Sequence, residues 1–473
     1  MATPIYQTII LGGGFTGLFT ALHLSHQHYP RSVILIDQND RFCFKPLLYE
    51  YFSGEMDMAQ VVPQYEELLQ QSGVIFVQGS VQSIDLTQQQ VQLVSGDHYS
   101  YSHLVLALGS VTGYFGVEGA KENALSFRTE ADAIVLDRRL RDCLQQAIHL
   151  PDLEERRPLL TVVVVGGGPS GVEMAATLAD FVPQWYAAMG GRAEEVRVVL
   201  MNHGQLLEGD VNHQLRTAAE QALQERAVPV EVMIGAKVTA VHPDRVAYQR
   251  NDQAEILKAG TIIWTAGIMP HPLIRSLPIA DEERDHQGRL SVTPTLQLPS
   301  FPEVFAGGDC VVDSQPESEQ EDDAEPAEHQ SAQPKPAQPK PLPPTAQVAY
   351  QQGSAIAHNL NALALGYTLK PVRVKLRGTL LKLGLNNSAA NLFNTIEVTG
   401  EAGHLIRQGT YLELLPTPIH NFKATTEWLK DEVIERYHPN SLKQVVKAAG
   451  VVGGVVLGAE IARRIARSLS DDR

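Results

Sequence analysis

The chain has 473 residues, enough for two or three domains. Its formal net charge of −16 argues against a nucleic-acid binder, although eight acids and no lysine or arginine between Asp313 and Glu328 supply about half of that excess. Cys43, Cys143 and Cys310 form no C-x-x-C pair, which argues against a disulfide framework or zinc site and fits a reducing compartment. The N-terminus lacks a basic region followed by an apolar core, so no signal peptide is expected. No apolar run reaches the roughly 18 residues of a spanning helix.

From Thr8 to Asp37 the sequence reads strand, glycine turn, helix, strand. Gly12, with Gly13 beside it, Gly14 and Gly17 form G-x-G-x-x-G, and Asp37 follows about 20 residues later. Gly12 allows a tight turn, Gly14 admits a pyrophosphate to the backbone N–H groups, and Gly17 lets the helix pack on the strand. The helix N-terminus favours phosphate charge, and Asp37 is placed to accept from ribose hydroxyls. The bland alternative is a glycine turn in an ordinary doubly wound sheet.

After Asp37, the apolar stretch Phe42 to Tyr49 surrounds one cation, Lys45, and Pro46 is expected to stop regular structure. It reads as a surface loop or as cover for a flavin, with Cys43 inside it. Val74 to Val81 and Gln90 to Val94 read as strands. Leu104 to Ser110 is a buried strand ending at Gly109, and Ser126 to Gln146 is a polar helix leading out of the first domain. The dinucleotide pattern then repeats. Leu159 to Val165 leads into Gly166, Gly168 and Gly171, and Val196 to Met201 is the answering strand. Here the strand ends at Asn202, which removes the carboxylate that would repel a 2′-phosphate, so NADPH is permitted.

Thr261 to Gly267 is a further strand ending in glycine, and VFAGGD ends at Asp309, placed to accept from the ribitol chain of a flavin. Asp313 to Pro344 is acidic and then proline-rich, and is expected to be a disordered insertion. Ala346 to Leu360 reads as a helix with Gln347 and Gln351 one turn apart. Its small residues Ala346 and Ala349 would allow tight packing and leave those amides facing a pocket.

GGGFTG, FKPLLYE, ALGS, GGGPSGVE, WTAGI, VFAGGD and AQVAYQQG occur in this order over about residues 5 to 400. Together they resemble the type II NAD(P)H:quinone oxidoreductases, also called alternative NADH dehydrogenases. The resemblance implies an FAD domain, an inserted NAD(P)H domain and a C-terminal membrane-binding part. It implies no metal, iron–sulfur centre or proton pumping. By position, Glu173 is the family's acid near nicotinamide and flavin, Gln347 and Gln351 line the quinone slot, and Asp309 contacts the flavin. The stretch KLRGTLLKLGLNNSAANL departs from the family pattern. It keeps Gly378 and Gly384 but has Lys382 at a small or apolar position, and Tyr350 stands where some members have His. The Asn202 change, the acidic and proline-rich insertion and this altered stretch resemble the photosynthetic branch assigned as demethylphylloquinone reductase.

The expected fold is α/β, with two Rossmann-like dinucleotide-binding domains and a C-terminal membrane-associating region. Residues 1–115 and 271–370 form the FAD domain, with the insertion 313–344. Residues 116–270 form the NAD(P)H domain, and residues 371–473 the quinone- and membrane-associating region. The expected reaction passes hydride from NAD(P)H to FAD and two electrons to a membrane quinone, with Glu173 tuning or relaying protons and Gln347 and Gln351 orienting the quinone oxygens. The runner-up is a sulfide:quinone oxidoreductase using Cys43 and Cys310. A disulfide reductase lacks its cysteine pair, and a redox-sensing scaffold would bind NAD(P)H without turnover. Ser441 to Ser468 has an apolar run, Ala448 to Ala459, flanked by lysines and arginines, too short to cross a bilayer but suited to anionic headgroups. The alternative is packing on its own domain or on a twin in a homodimer, helped by Gly450, Gly454 and Gly458. The expected location is peripheral, on the cytoplasmic or thylakoid face of a membrane.

Overall fold

The computed structural model describes residues 7–209, 211–315, 340–392, 396–414 and 416. The membrane-directed segment Ser441 to Ser468 and most of the 313–344 insertion lie outside the described residues. The chain divides into two units, each built from three separate stretches.

The first unit comprises residues 1–42, 64–111 and 268–376. Its core is a five-stranded parallel sheet in the order Val304–Ala306, His103–Leu106, Gln7–Leu11, Ser32–Asp37, Ile75–Gln78. The central strands are almost wholly apolar because helices or loops cover both faces of a parallel sheet. Ile9, Leu11, Ile34, Ile36, Leu104 and Leu106 are all buried in one cluster. Beside the sheet, helix Phe15–His26 packs against helix Ala346–Ala364. Thr345 caps the latter, its side chain accepting from Val348 N. The two helices approach closely at Gly353. A Cβ on Gly353 would lie 2.5 Å from Thr16 O. Thr16 and Thr20 donate across the contact to Ala349 O and Gly353 O, each at 3.1 Å.

The second unit comprises residues 43–63, 112–267 and 377–473. Its parallel sheet runs Glu231–Ile234, Arg197–Asn202, Thr161–Val165, Thr261–Trp264. The polar helix lies at Glu130–Ile148 and starts in a capping box between Thr129 and Asp132. Pro46 does not stop regular structure. It opens a 3₁₀ turn, Lys45–Leu47, followed by helix Leu48–Ser53, because proline is tolerated where the first N–H needs no partner. The 377–473 stretch contributes an antiparallel sheet, Gly378–Lys382, Ser388–Leu392 and Ile396–Val398, and then helix Gly400–Glu413. Asp180 ties this sheet down. Its carboxylate accepts from Leu385 N at 2.8 Å, Ala227 N at 3.0 Å and Arg226 Nη1 at 3.0 Å.

Candidate functional site: two glycine turns and a buried charge cluster

In the first turn Gly12 has φ +94°, and a Cβ there would lie 2.4 Å from Ala107 O. A Cβ on Gly17 would lie 1.9 Å from Gly12 O, so only glycine lets the helix start this close to the strand. Gly13 is held from both sides, its N–H donating to Asp37 Oδ2 at 2.6 Å and its carbonyl accepting from Tyr65 Oη at 2.8 Å. The other Asp37 oxygen accepts from Asn39 N at 2.8 Å. Gly14 caps the helix, and no atom lies within 4 Å of where its Cβ would stand. The turn is thus rigid behind and open in front, where a pyrophosphate would meet N–H groups and the positive helix end.

The second turn repeats this plan. Gly166 has φ +114°, and a Cβ on Gly171 would lie 1.8 Å from Gly166 O. Gly168 caps helix Pro169–Ala188. Asn202 takes the place of Asp37. Its Oδ1 accepts from Gly167 N at 3.0 Å, while Nδ2 donates to Gly204 O at 3.1 Å and Gln205 O at 2.9 Å. Both turns therefore have the shape that a dinucleotide requires.

Elsewhere in the first unit, Asp309 accepts from Ser110 Oγ at 2.7 Å, next to Gly109 at φ +66°. Asp309, Asp313, Arg289, Thr345 and Gln352 line a small pocket. Gln352, not singled out from the sequence, is 1% exposed. Its Oε1 accepts from Gly308 N at 2.7 Å and its Nε2 donates to Asp313 Oδ2 at 3.2 Å. Its place one turn from buried Val348 and Ile356 was the available signal. Gln351, expected to face a pocket, is engaged by backbone instead. It donates to Gln347 O at 3.1 Å and Lys375 O at 3.0 Å and accepts from Lys375 N at 3.0 Å. Gln347 is half-buried one turn away. Tyr350 packs on Phe19, ring centroids 5.7 Å apart.

Lys45 is exposed in its 3₁₀ turn, and Gly267, at φ +151°, lies against the Phe115 ring in the second unit. Burial pushes the Cys43 thiol up to about 11 and the Cys310 thiol up to about 12. Neither is activated as a thiolate near neutral pH.

Glu173 lies on helix Pro169–Ala188, and its partners come from far along the chain. Oε1 accepts from Lys382 N at 2.9 Å and stands 3.7 Å from Arg407 Nη2. Arg407 forms an ion pair with Glu50 and donates to Pro46 O at 2.6 Å. Lys382 forms an ion pair with Glu55 and lies 3.6 Å from Glu50. Burial pushes the Glu173 carboxyl up to about 7, opposed by Arg407 and the Lys382 N–H. Burial, with the Lys382 charge beside it, pulls His404 down to about 4. Sequence reasoning found Glu173 and flagged Lys382, but missed Glu50, Glu55 and Arg407.

The family model for pyridine nucleotide-disulphide oxidoreductases matches residues 6–353. The chain is 33% identical, over 89% of its length and 95% of the relative, to a demethylphylloquinone reductase of Synechocystis sp.. It is 28% identical to an alternative NAD(P)H-ubiquinone oxidoreductase of Arabidopsis thaliana, over 91% of this chain and 81% of that one. Its fold matches NDH2 of Plasmodium falciparum in complex with NADH with a TM-score of 0.75 and 19% identity, over 91% of this chain and 99% of that one. Two dinucleotide turns of one design and this set of relatives agree: the chain belongs to the pyridine nucleotide-disulphide oxidoreductase family and, within it, to the type II NAD(P)H:quinone oxidoreductases.

Proposed function

We propose that the first turn holds FAD, the second holds NAD(P)H, and the quinone reduced is a naphthoquinone of the demethylphylloquinone type. The observation that carries the reading is the duplicated turn, with a polar strand-end side chain on the second glycine N–H in each copy. The quinone type rests on the identity to the Synechocystis relative. A bound FAD would supply the two-electron chemistry between NAD(P)H and the quinone.

The protein's own residues bind, orient and handle protons. Asp37 fixes the first turn and accepts from the adenosine ribose, while Gly13, Gly14 and Gly17 shape the phosphate cradle. Asp309, positioned by Ser110, accepts from the ribitol chain; Lys45, Gly109 and Gly267 belong to the loops around the cofactors. Gly166, Gly168 and Gly171 cradle the second pyrophosphate, and Asn202, uncharged, tolerates a 2′-phosphate. Glu173, poised near neutrality, holds or releases a proton for the quinone oxygens. Gln347 and Gln351 serve the quinone half-reaction, Gln351 through its hold on the Lys375 backbone. Cys43 and Cys310 take no part, which sets this reading against sulfide oxidation.

Stopped-flow spectroscopy tests the whole. NADH and NADPH should bleach the flavin, and naphthoquinones should reoxidise it faster than benzoquinones. A flavin reoxidised no faster by any quinone than by buffer would overturn the reading. Replacing Cys43 and Cys310 together with serine should leave NAD(P)H–quinone turnover intact. For location, we propose peripheral docking through Ser441 to Ser468, a segment outside the described residues. Truncation after Pro439 should abolish sedimentation with anionic liposomes and spare reduction of a water-soluble quinone. Among the described residues no helix is long and apolar enough to cross a membrane.

A further inference from the structure

Three carboxylates, Glu50, Glu55 and Glu173, share one buried space with two cations, Lys382 and Arg407, all in the second unit. Burying an uncompensated charge is costly, so a cluster with one excess negative charge tends to keep one proton. Geometry selects the acid that keeps it. Glu55 pairs directly with Lys382, and Glu50 pairs directly with Arg407 with Lys382 at 3.6 Å. Glu173 has one backbone N–H and the edge of a guanidinium at 3.7 Å. It is the least compensated of the three.

The other groups facing the cluster do not change this count. His404, on the same helix as Arg407, is 2% exposed, and both its ring nitrogens lack a partner among the described residues; it stays neutral near pH 7. Tyr49 donates to Ser170 O at 3.1 Å, and burial raises its hydroxyl further from ionisation. Tyr411 stacks under the Arg407 guanidinium at 5.0 Å and is pushed up to about 12. Arg407 itself is not saturated. Among the described residues its Nε has no partner, and neither does Glu50 Oε2.

We propose that Arg407, carried on helix Gly400–Glu413, is a positioning residue that sets the charge state of Glu173 by dividing its guanidinium between Glu173 and Glu50. Glu50 competes for the arginine, so a residue with no role of its own in electron transfer governs how readily Glu173 gives up its proton. The inference rests on the reading of Glu173 as the proton-handling acid, but the charge coupling can be measured without turnover.

The test is an infrared titration of the full-length FAD-loaded protein with no nicotinamide present. The carbonyl band of protonated Glu173 is assigned by its loss in Glu173→Gln. Arg407→Met leaves three acids against one cation and should raise the midpoint by about one pH unit or more. Glu50→Gln balances the cluster and frees the arginine for Glu173, so it should lower the midpoint by about as much. The double variant Glu50→Gln/Arg407→Met restores the native excess and should return the midpoint toward its native value. If Arg407→Met does not fold, Glu50→Gln and the double variant still decide. A merely structural pair would not give shifts of opposite sign that cancel in the double variant. A midpoint that stays put or rises in Glu50→Gln overturns the proposal. The pH profile of flavin reoxidation by quinone is recorded on the same variants. If the infrared midpoints move as stated while that profile does not, the coupling stands and the catalytic reading of Glu173 falls.

Discussion

The two glycine turns are built alike and finished differently. In both, a side chain at the end of the second strand accepts from the N–H of the middle glycine, Asp37 from Gly13 and Asn202 from Gly167. The loop that follows is matched to that side chain. Asp37, an acceptor only, turns its second oxygen to the N–H of Asn39, whereas the Asn202 amide turns its donors to the carbonyls of Gly204 and Gln205. Residue 202 is therefore neutral for two reasons at once. It closes its own loop and, in the proposed function, spares a 2′-phosphate. The helices differ too. Two residues beyond the third glycine stands Phe19 in one copy, packed on aromatic rings, and Glu173 in the other, inside a charge cluster. At this position the first copy carries an aromatic ring and the second an acid.

The sharpest break of this comparison is a Cβ at the third glycine. Gly17→Ala, 1.9 Å from Gly12 O, should give protein without FAD, while Gly171→Ala, 1.8 Å from Gly166 O, should stay yellow and lose reduction by NAD(P)H at least tenfold (about 1.4 kcal/mol). Flavin content and kcat/KM for the nucleotide check the pair. The reverse pattern would exchange the two assignments.

Glu173→Gln should come next, slowing flavin reoxidation by quinone while leaving reduction intact. It also has a stability signature. The folded carboxyl, at about 7, binds its proton more tightly than the unfolded one at 4.5, so its stabilising share is complete below pH 4.5 and is lost as pH rises through 7. The variant should remove that decline, on the order of 3 kcal/mol, in denaturant titrations at several pH values.

Asn202→Asp and Asn202→Glu should shift the NADPH/NADH ratio of kcat/KM toward NADH by about 1–3 kcal/mol. Because a carboxylate cannot donate to Gly204 O and Gln205 O, both should also lower Tm. A change in preference with no loss of stability would show that the loop contacts are dispensable. The smallest effect is expected from Gln351→Ala, a few-fold slower reoxidation with unchanged reduction, since its amide braces the Lys375 backbone. Equal damage to both half-reactions would give it a folding role.

Legibility from the sequence followed distance along the chain. Each glycine turn is complete within about 40 residues, and its strands, spacing and strand-end residue are all local, so both copies could be placed from the pattern alone. The charge cluster could not. Glu50 sits in a stretch that reads as an apolar loop, Arg407 on a helix beyond the last family motif, and nothing local to either announces the pairing. Lys382 appeared only as a departure from a family pattern; its reason, a buried Glu55, needs the fold. Gln351 and Gln352 show the finer limit, since adjacent positions on a helix point about 100° apart and one shift of register exchanges the engaged amides.

The Glu50–Arg407 pair also sets a timetable for biosynthesis. The two residues are separated by 357 positions. At about 5–20 residues per second, the ribosome delivers the arginine roughly 20–70 s after the glutamate. Until then the second unit holds three acids meant for burial against at most one of their two cations, Lys382, and cannot close. A chain that stops short of helix Gly400–Glu413 keeps both glycine turns in its sequence but lacks the ion pair that completes the unit. Such fragments should be open, aggregation-prone and readily degraded, so release of the nearly full chain is itself the checkpoint for assembly.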